Sequence, residues 1–214
     1  MSHSSPWEPT AARLREIIDL VVRTGDDETP PPELADVLDR ARELLEPYAA
    51  DPQDAVRAFW QRLSGVHGQS RALIGGPANP LAPVVRWDKA EDAWVGRTTL
   101  GVGYQGPPGR VHGGMVAALL DSVLGRAQPR DGLRFTRTLT IDYLAATPLF
   151  TELVIRARPD DPGGRKVWIT GEVEADGVVT ATARGLWVAP RTVPADAPGD
   201  LGLELGRPGP AAST

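Results

Sequence analysis

The stretch Met115-Val116-Ala117-Ala118-Leu119-Leu120-Asp121-Ser122-Val123-Leu124 constrains the fold more than any other part of the chain. At helical pitch its apolar side chains occupy most of the circumference. A helix apolar nearly all round must be covered on nearly all sides. No apolar run in the chain approaches the ~20 residues that cross a bilayer, so the cover has to come from protein. The flanking segments supply it. Val84–Trp87 and Trp94–Leu100 have the period of two expected of strands and form a hairpin pair around Asp88–Ala93. After the helix come four further strand-like runs, Phe135–Leu144, Thr151–Arg158, Lys166–Ala175 and Val178–Val188. Asp176-Gly177 joins the last two as a two-residue hairpin turn, and Pro162-Gly163-Gly164 turns the chain before them. The order is strand, strand, helix, four strands. The expected architecture is α+β: six antiparallel strands curled around one helix, with the sheet edges and the open side of the helix covered by a second copy.

Ahead of this unit the pattern is helical. Leu14, Ile17, Ile18, Val21 and Val22 form one stripe; Leu34, Val37, Leu38, Ala41, Leu44, Leu45 and Tyr48 form a second, with Pro30-Pro31-Pro32 between them. Asp51-Pro52 has the form of an N-cap and first-turn proline before a third short helix carrying Val56, Phe59, Trp60 and Leu63. These stripes must bury against the rest of the chain or a partner subunit. The chain thus divides into a helical extension over 1–65, a Gly/Pro-rich loop over 66–83, the sheet-and-helix domain over 84–189, and a Pro/Gly/Ala-rich tail over 190–214 expected to be disordered.

Composition narrows the chemistry. A formal charge of −5 argues against nucleic acid as a main partner, which demands a dense basic surface. The absence of cysteine excludes disulfides, thiolate metal sites and cysteine nucleophiles. The three histidines, His3, His67 and His112, lie far apart, so no histidine-built metal site is expected. The N-terminal segment does not read as a signal peptide, and the cytoplasm is the default compartment.

The residues that can do chemistry cluster around the apolar helix. Gly113 and Gly114 open it, and without a Cβ they let a ligand approach the backbone closely. The first N–H groups of a helix have no intrahelical acceptor and sit at the positive end of its dipole. They can hold a carbonyl oxygen and stabilise the oxyanion formed when the carbonyl is attacked. Taken alone, the same glycines also suit a plain helix start. Asp121, two turns on in an apolar face, is costly there unless paired or neutralised. A carboxyl group in apolar surroundings suits a general base, or it can attack a carbonyl directly; taken alone, it equally reads as a solvent-facing or structurally bonded aspartate. By simple alternation Thr136, Thr138, Thr140 and Asp142 share one strand face, opposite Phe135, Arg137, Leu139, Ile141 and Tyr143. Gly164-Arg165-Lys166 gathers positive charge between two strands, either as a solvated hairpin end or as a phosphate contact. Trp87, Trp94, Trp168 and Trp187 read as core or as pocket walls.

The string QGPPGRVHGGMVAALLD, followed by TRTLTIDYLAATPL, resembles the hotdog-fold acyl-CoA thioesterases of the phenylacetate-pathway and mammalian thioesterase-superfamily type, over about residues 81–189. The resemblance implies a sheet wrapped around a central helix, subunits paired as dimers or dimers of dimers, and active sites at the dimer interface without metal or prosthetic group. Residue by residue, it implies that Asp121 is the catalytic base or nucleophile and that the Gly113 N–H holds the thioester oxygen. It further implies that Thr136 orients the attacking water and that His112 shapes the loop and the helix start. Several members of the family carry Asn or Gln about six residues before the motif histidine. Here that place is Gly106, with Gln105 beside it as the substitute amide. Gly114, Gln105, Arg137, Arg165 and Lys166 complete the expected acyl-CoA contacts, Arg137 having a solvated strand residue as its plain reading. Two other functions fit the same fold: hydration of enoyl-CoA or dehydration of hydroxyacyl-CoA, and acyl-CoA binding without catalysis.

Overall fold

The computed structural model describes residues 5–55, 70–129, 134–160 and 164–191. The anticipated third helix beyond Ala55, with Val56, Phe59, Trp60 and Leu63, lies outside these residues, as do the Pro162-Gly163 turn and the tail past Arg191. The start of that helix is described: Asp51 caps it, its Oδ1 accepting from Gln53 N at 2.9 Å and its carbonyl from Ala55 N at 2.8 Å.

Six strands, β1 (Arg86–Lys89), β2 (Trp94–Thr99), β3 (Phe135–Tyr143), β4 (Glu152–Pro159), β5 (Lys166–Ala175) and β6 (Val178–Val188), form one antiparallel sheet in the order β1-β2-β4-β5-β6-β3. The Asp176-Gly177 turn has positive φ at both positions, 50° and 77°, as a two-residue hairpin requires. Between β2 and β3 runs the apolar helix, Gly113–Arg126. Counting Glu8–Val22 as α1 and Pro32–Leu45 as α2, it is α3.

Helix α3 lies against one face of the sheet and touches five of the six strands. Val116, Leu119, Leu120, Val123 and Leu124 of α3 are buried with Leu153, Ile155, Val167, Ile169, Val173 and Trp187 of the sheet. Small residues mark the closest approach. A Cβ at Gly171 would lie 2.6 Å from Leu124 Cδ1 and 2.7 Å from the Arg156 carbonyl, so a side chain there would push the helix off the sheet. Of the tryptophans, Trp187 is core, Trp87 and Trp94 pack half-buried against it, and Trp168 lies on the outer face beneath Arg184, at 4.4 Å from the ring. Arg126, at the end of α3, stacks over Trp87 at 4.2 Å, and burial lowers its guanidinium pKa to about 10.

Simple alternation fails at one place in β3, and the failure matters. The β3–β6 register slips between Thr136 and Thr138, a β-bulge with Arg137 as the extra residue. Thr136 pairs with Trp187, and Leu139, Ile141 and Tyr143 pair with Gly185, Ala183 and Ala181. Cross-strand partners project to the same face, and Trp187, Ala183 and Ala181 belong to the core beneath α3. Thr136 therefore points to the helix side, apart from Thr138, Thr140 and Asp142, which stay on the outer face. The shared face expected for these four is corrected by the bulge.

Within the single chain the N-terminal stripes are little buried among the described residues. In α1 only Ala11 is buried, and in α2 no residue is. Val37, Leu38 and Leu44 of α2 remain exposed. No helix among the described residues is long and apolar enough to cross a membrane.

Candidate active site

The approach to α3 is a compact loop. Gln105 and Val111 form an isolated bridge, Gly106 N donates to Arg110 O at 2.9 Å, and Arg110 bridges to Pro148. The Gln105 side-chain oxygen accepts from Gly109 N at 3.0 Å, which fixes the turn and leaves its NH2 end as a donor. Gly106 has no room for a longer residue, because a Cβ there would sit 2.9 Å from His112 Cα. The Asn or Gln expected at that place in the resembling family cannot be accommodated, and Gln105 is the amide the loop offers instead.

His112 is the N-cap of α3. Its backbone N–H donates to Tyr104 O at 2.8 Å, its Nδ1 accepts from Gly114 N at 3.0 Å, and its carbonyl accepts from Met115 N at 2.8 Å. The histidine thus caps the helix start, with one ring nitrogen occupied in doing so. The same bonds correct the expectation for Gly114. Its amide is taken by the cap, and a Cβ on it would lie 3.0 Å from that nitrogen, so the glycine serves the histidine. Of the first three amides of α3, only that of Gly113 meets no acceptor among the described residues. The Gly113 carbonyl accepts from the Tyr143 hydroxyl at 2.9 Å, which ties the helix start to the end of β3. Tyr143 was not foreseen as a site residue; the signal was a strand-terminal aromatic in Asp-Tyr, legible only as part of a motif.

Asp121 is half-buried, less enclosed than a carboxylate deep in a helix surrounded by strands was expected to be. Its Oδ1 accepts from the Thr136 hydroxyl at 3.1 Å. Among the described residues no other donor reaches the carboxylate, so its remaining lone pairs are open to a ligand. The bulge at Arg137 makes this pair possible by turning Thr136 toward α3.

The structure brings Asp121 to Thr136, His112 to Gly114 and Gln105 to Gly109. It does not bring Asp121 to Gly113. The two are eight residues apart on one helix, about 12 Å along its axis at 1.5 Å per residue. One carbonyl group cannot reach the Gly113 amide and the Asp121 carboxylate of the same chain.

The basic residues lie toward one end of the sheet. Arg137 is exposed on the bulge. Lys166, also exposed, pairs with Val188, which on its other side pairs with Phe135. Arg165 is exposed and donates to Ala189 O at 3.1 Å. Among the described residues no cluster of three His, Cys, Asp or Glu side chains is placed to hold a metal ion.

Residues 108–182 match the family model described as Thioesterase superfamily. Acyl-coenzyme A thioesterase THEM4 of Rattus norvegicus is 32% identical over 89 residues, 42% of this chain and 39% of that protein. The Xenopus laevis protein of the same name is 31% identical over 105 residues, 48% of this chain and 47% of that protein. The chain therefore spans less than half the length of these curated relatives. A thioesterase superfamily protein of known crystal structure is 31% identical with a TM-score of 0.75, covering 86% of this chain and 91% of that one. Such coverage exceeds what residues 84–189 can provide, so the likeness extends into the N-terminal helices.

Proposed function

The chain belongs to the thioesterase superfamily and has its hotdog fold, and on that premise we propose that it hydrolyses acyl-coenzyme A thioesters to a free acid and coenzyme A. The observation that carries this reading is the pairing of Asp121 with Thr136 on the helix side of the sheet, with a first-turn amide at Gly113 that meets no acceptor among the described residues. The THEM4 proteins, named as acyl-coenzyme A thioesterases, supply the substrate class.

The separation of Gly113 and Asp121, about 12 Å along the helix axis, shapes the mechanism: we place each site between two copies of the chain. Strand β3 lies at the edge of the sheet, with Phe135 and Tyr143 exposed. Such an edge is suited to pairing with its own copy about a two-fold axis. The Gly113 amide of one copy holds the thioester oxygen, and the Asp121 carboxylate of the other works on the carbonyl carbon. As general base, Asp121 takes a proton from water while a new C–O bond forms and the oxyanion gains the Gly113 N–H bond. The C–S bond then breaks, and the proton passes from the carboxyl to the departing thiolate. As nucleophile, the Asp121 carboxylate attacks the carbon itself and the C–S bond breaks, expelling coenzyme A as thiolate; water then cleaves the resulting anhydride to the free acid and Asp121, one proton going to the thiolate and the other to solvent. In either route Thr136, while donating to Asp121, keeps oxygen lone pairs to accept from the water. The NH2 of Gln105, which has no acceptor among the described residues, adds a second donor at the loop. Arg137, Arg165 and Lys166, at the Phe135 end of the sheet, receive the phosphates of coenzyme A.

The hydratase reading needs a histidine free to transfer protons beside the carboxylate, and His112 spends Nδ1 on its own helix. The experiment is thiol release from a panel of acyl-CoAs of graded chain length, run on wild type and Thr136→Val. We expect saturable release by wild type and a loss of about 10–100-fold in kcat for the variant. That loss corresponds to about 1.4–2.7 kcal/mol, the order of one hydrogen bond to a charged group. Hydration of crotonyl-CoA without thiol release would establish the hydratase instead, and saturable binding without turnover a non-catalytic binder.

A further inference from the structure

The N-terminal helix has no part in the chemistry just described, yet it is joined to the loop that presents the Gly113 amide. Helix α1 packs on the single turn Val102–Tyr104. The contact is close enough that a Cβ at Gly101 would come within 3.4 Å of Asp19 Oδ1. Farther back on the same helix, the Arg15 guanidinium spans two carbonyls of the preceding loop, Pro77 O at 3.2 Å and Asn79 O at 2.9 Å. Arg15 also lies near the Tyr104 phenol, whose pKa is raised by burial and partly lowered again by that guanidinium. Tyr104 packs against the core. Its backbone carbonyl receives the His112 N–H at 2.8 Å, and His112 in turn caps the helix that begins at Gly113.

We propose that α1 is a structural arm of the active site, with Arg15 and Tyr104 as positioning residues. Arg15 locks α1 to the 77–79 loop, α1 holds the 101–105 turn, and the Tyr104 carbonyl fixes His112 and so the direction of the Gly113 N–H. The claim rests on the thioesterase reading for its consequence, since an amide aimed at nothing has no rate to lose. The physical reason for an effect at this distance is that an oxyanion donor works only within a narrow geometry, so a small displacement weakens it. The 86% coverage by the related crystal structure, which takes in the N-terminal helices, accords with α1 being integral to the fold.

The test uses the full chain with Arg15→Ala, Arg15→Lys and, alongside, Asp121→Asn. Two readouts are taken: steady-state kinetics on an acyl-CoA that wild type turns over, and amide hydrogen exchange by mass spectrometry over 101–113, with 178–188 of β6 as internal reference. For Arg15→Ala we expect kcat to fall about tenfold with KM within about threefold, the pattern of a lost transition-state contact. Exchange over 101–113 should quicken while that of 178–188 holds, and Arg15→Lys, able to reach one carbonyl, should regain part of kcat. Unchanged kcat in Arg15→Ala beside an inactive Asp121→Asn overturns the proposal, as does exchange that stays unchanged over 101–113 or rises equally in β6. If Arg15→Ala does not fold, Arg15→Lys decides: wild-type kcat and exchange overturn the proposal, and a smaller shift of both in the same directions upholds it. If Asp121→Asn retains wild-type turnover, the hydrolase reading has failed and the exchange comparison alone judges the role of α1.

Discussion

Asp121→Asn should lower the rate of thiol release by about 10²–10⁴-fold, the range lost with a general base or nucleophile. Asparagine has the same shape and keeps a carbonyl oxygen where Oδ1 now accepts from Thr136 at 3.1 Å. It can neither take a proton from water nor attack a carbonyl carbon at a useful rate. Asp121 is half-buried and carries no ion pair among the described residues, so the loss should come without loss of fold. A melting temperature close to that of wild type, measured on the same preparation, confirms that chemistry and not stability has changed. Thiol release at the wild-type rate would remove Asp121 from the mechanism.

Gly113→Pro should cost about 10²–10³-fold in kcat, the penalty for removing one oxyanion donor. The substitution is unusually clean at this place. Gly113 is the first residue of α3, where proline is favoured because its missing N–H has no intrahelical partner. His112 before it has φ −59° and ψ 132°, the extended conformation that a residue preceding proline adopts. What is deleted is the one amide of the first turn that meets no acceptor among the described residues, while the cap bonds to Gly114 and Met115 stay in place. Gly113→Ala is the comparison. Its Cβ would meet Tyr143 at 3.5 Å, an ordinary contact, and its N–H remains, so it should lose far less than the proline variant. Equal losses in the two would mean that the amide holds nothing.

Much of the fold is legible in the residues because local and global signals agree. The two last strands, Lys166–Ala175 and Val178–Val188, stand where alternation and the Asp176-Gly177 turn put them. The apolar helix is covered by the sheet as its composition demands. The candidate site was legible in its parts more than in its arrangement. Alternation along β3 cannot reveal a bulge, since an extra residue leaves no mark in hydropathy when its side chain is an exposed arginine. Arg137 therefore hid the turn that sends Thr136 to Asp121. The pairing of His112 with the Gly114 amide was likewise unreadable, because a capping histidine and a catalytic one look alike in a string of letters. The apolar stripe of α2 signals a contact but does not say with what, and it stays exposed among the described residues. The spacing of Gly113 and Asp121 becomes informative only with the helix in hand: eight helical residues put them too far apart to serve one carbonyl in one chain.

That separation allows the most direct measurement. Asp121→Asn and Gly113→Pro chains, each bearing a different affinity tag, are co-expressed, and the heterodimer is purified through both tags. If each site takes its amide from one copy and its carboxylate from the other, the heterodimer holds one intact site and one doubly broken site. Its rate should then be about half that of the wild-type dimer, far above either parent homodimer. A heterodimer no more active than its parents would contradict the account.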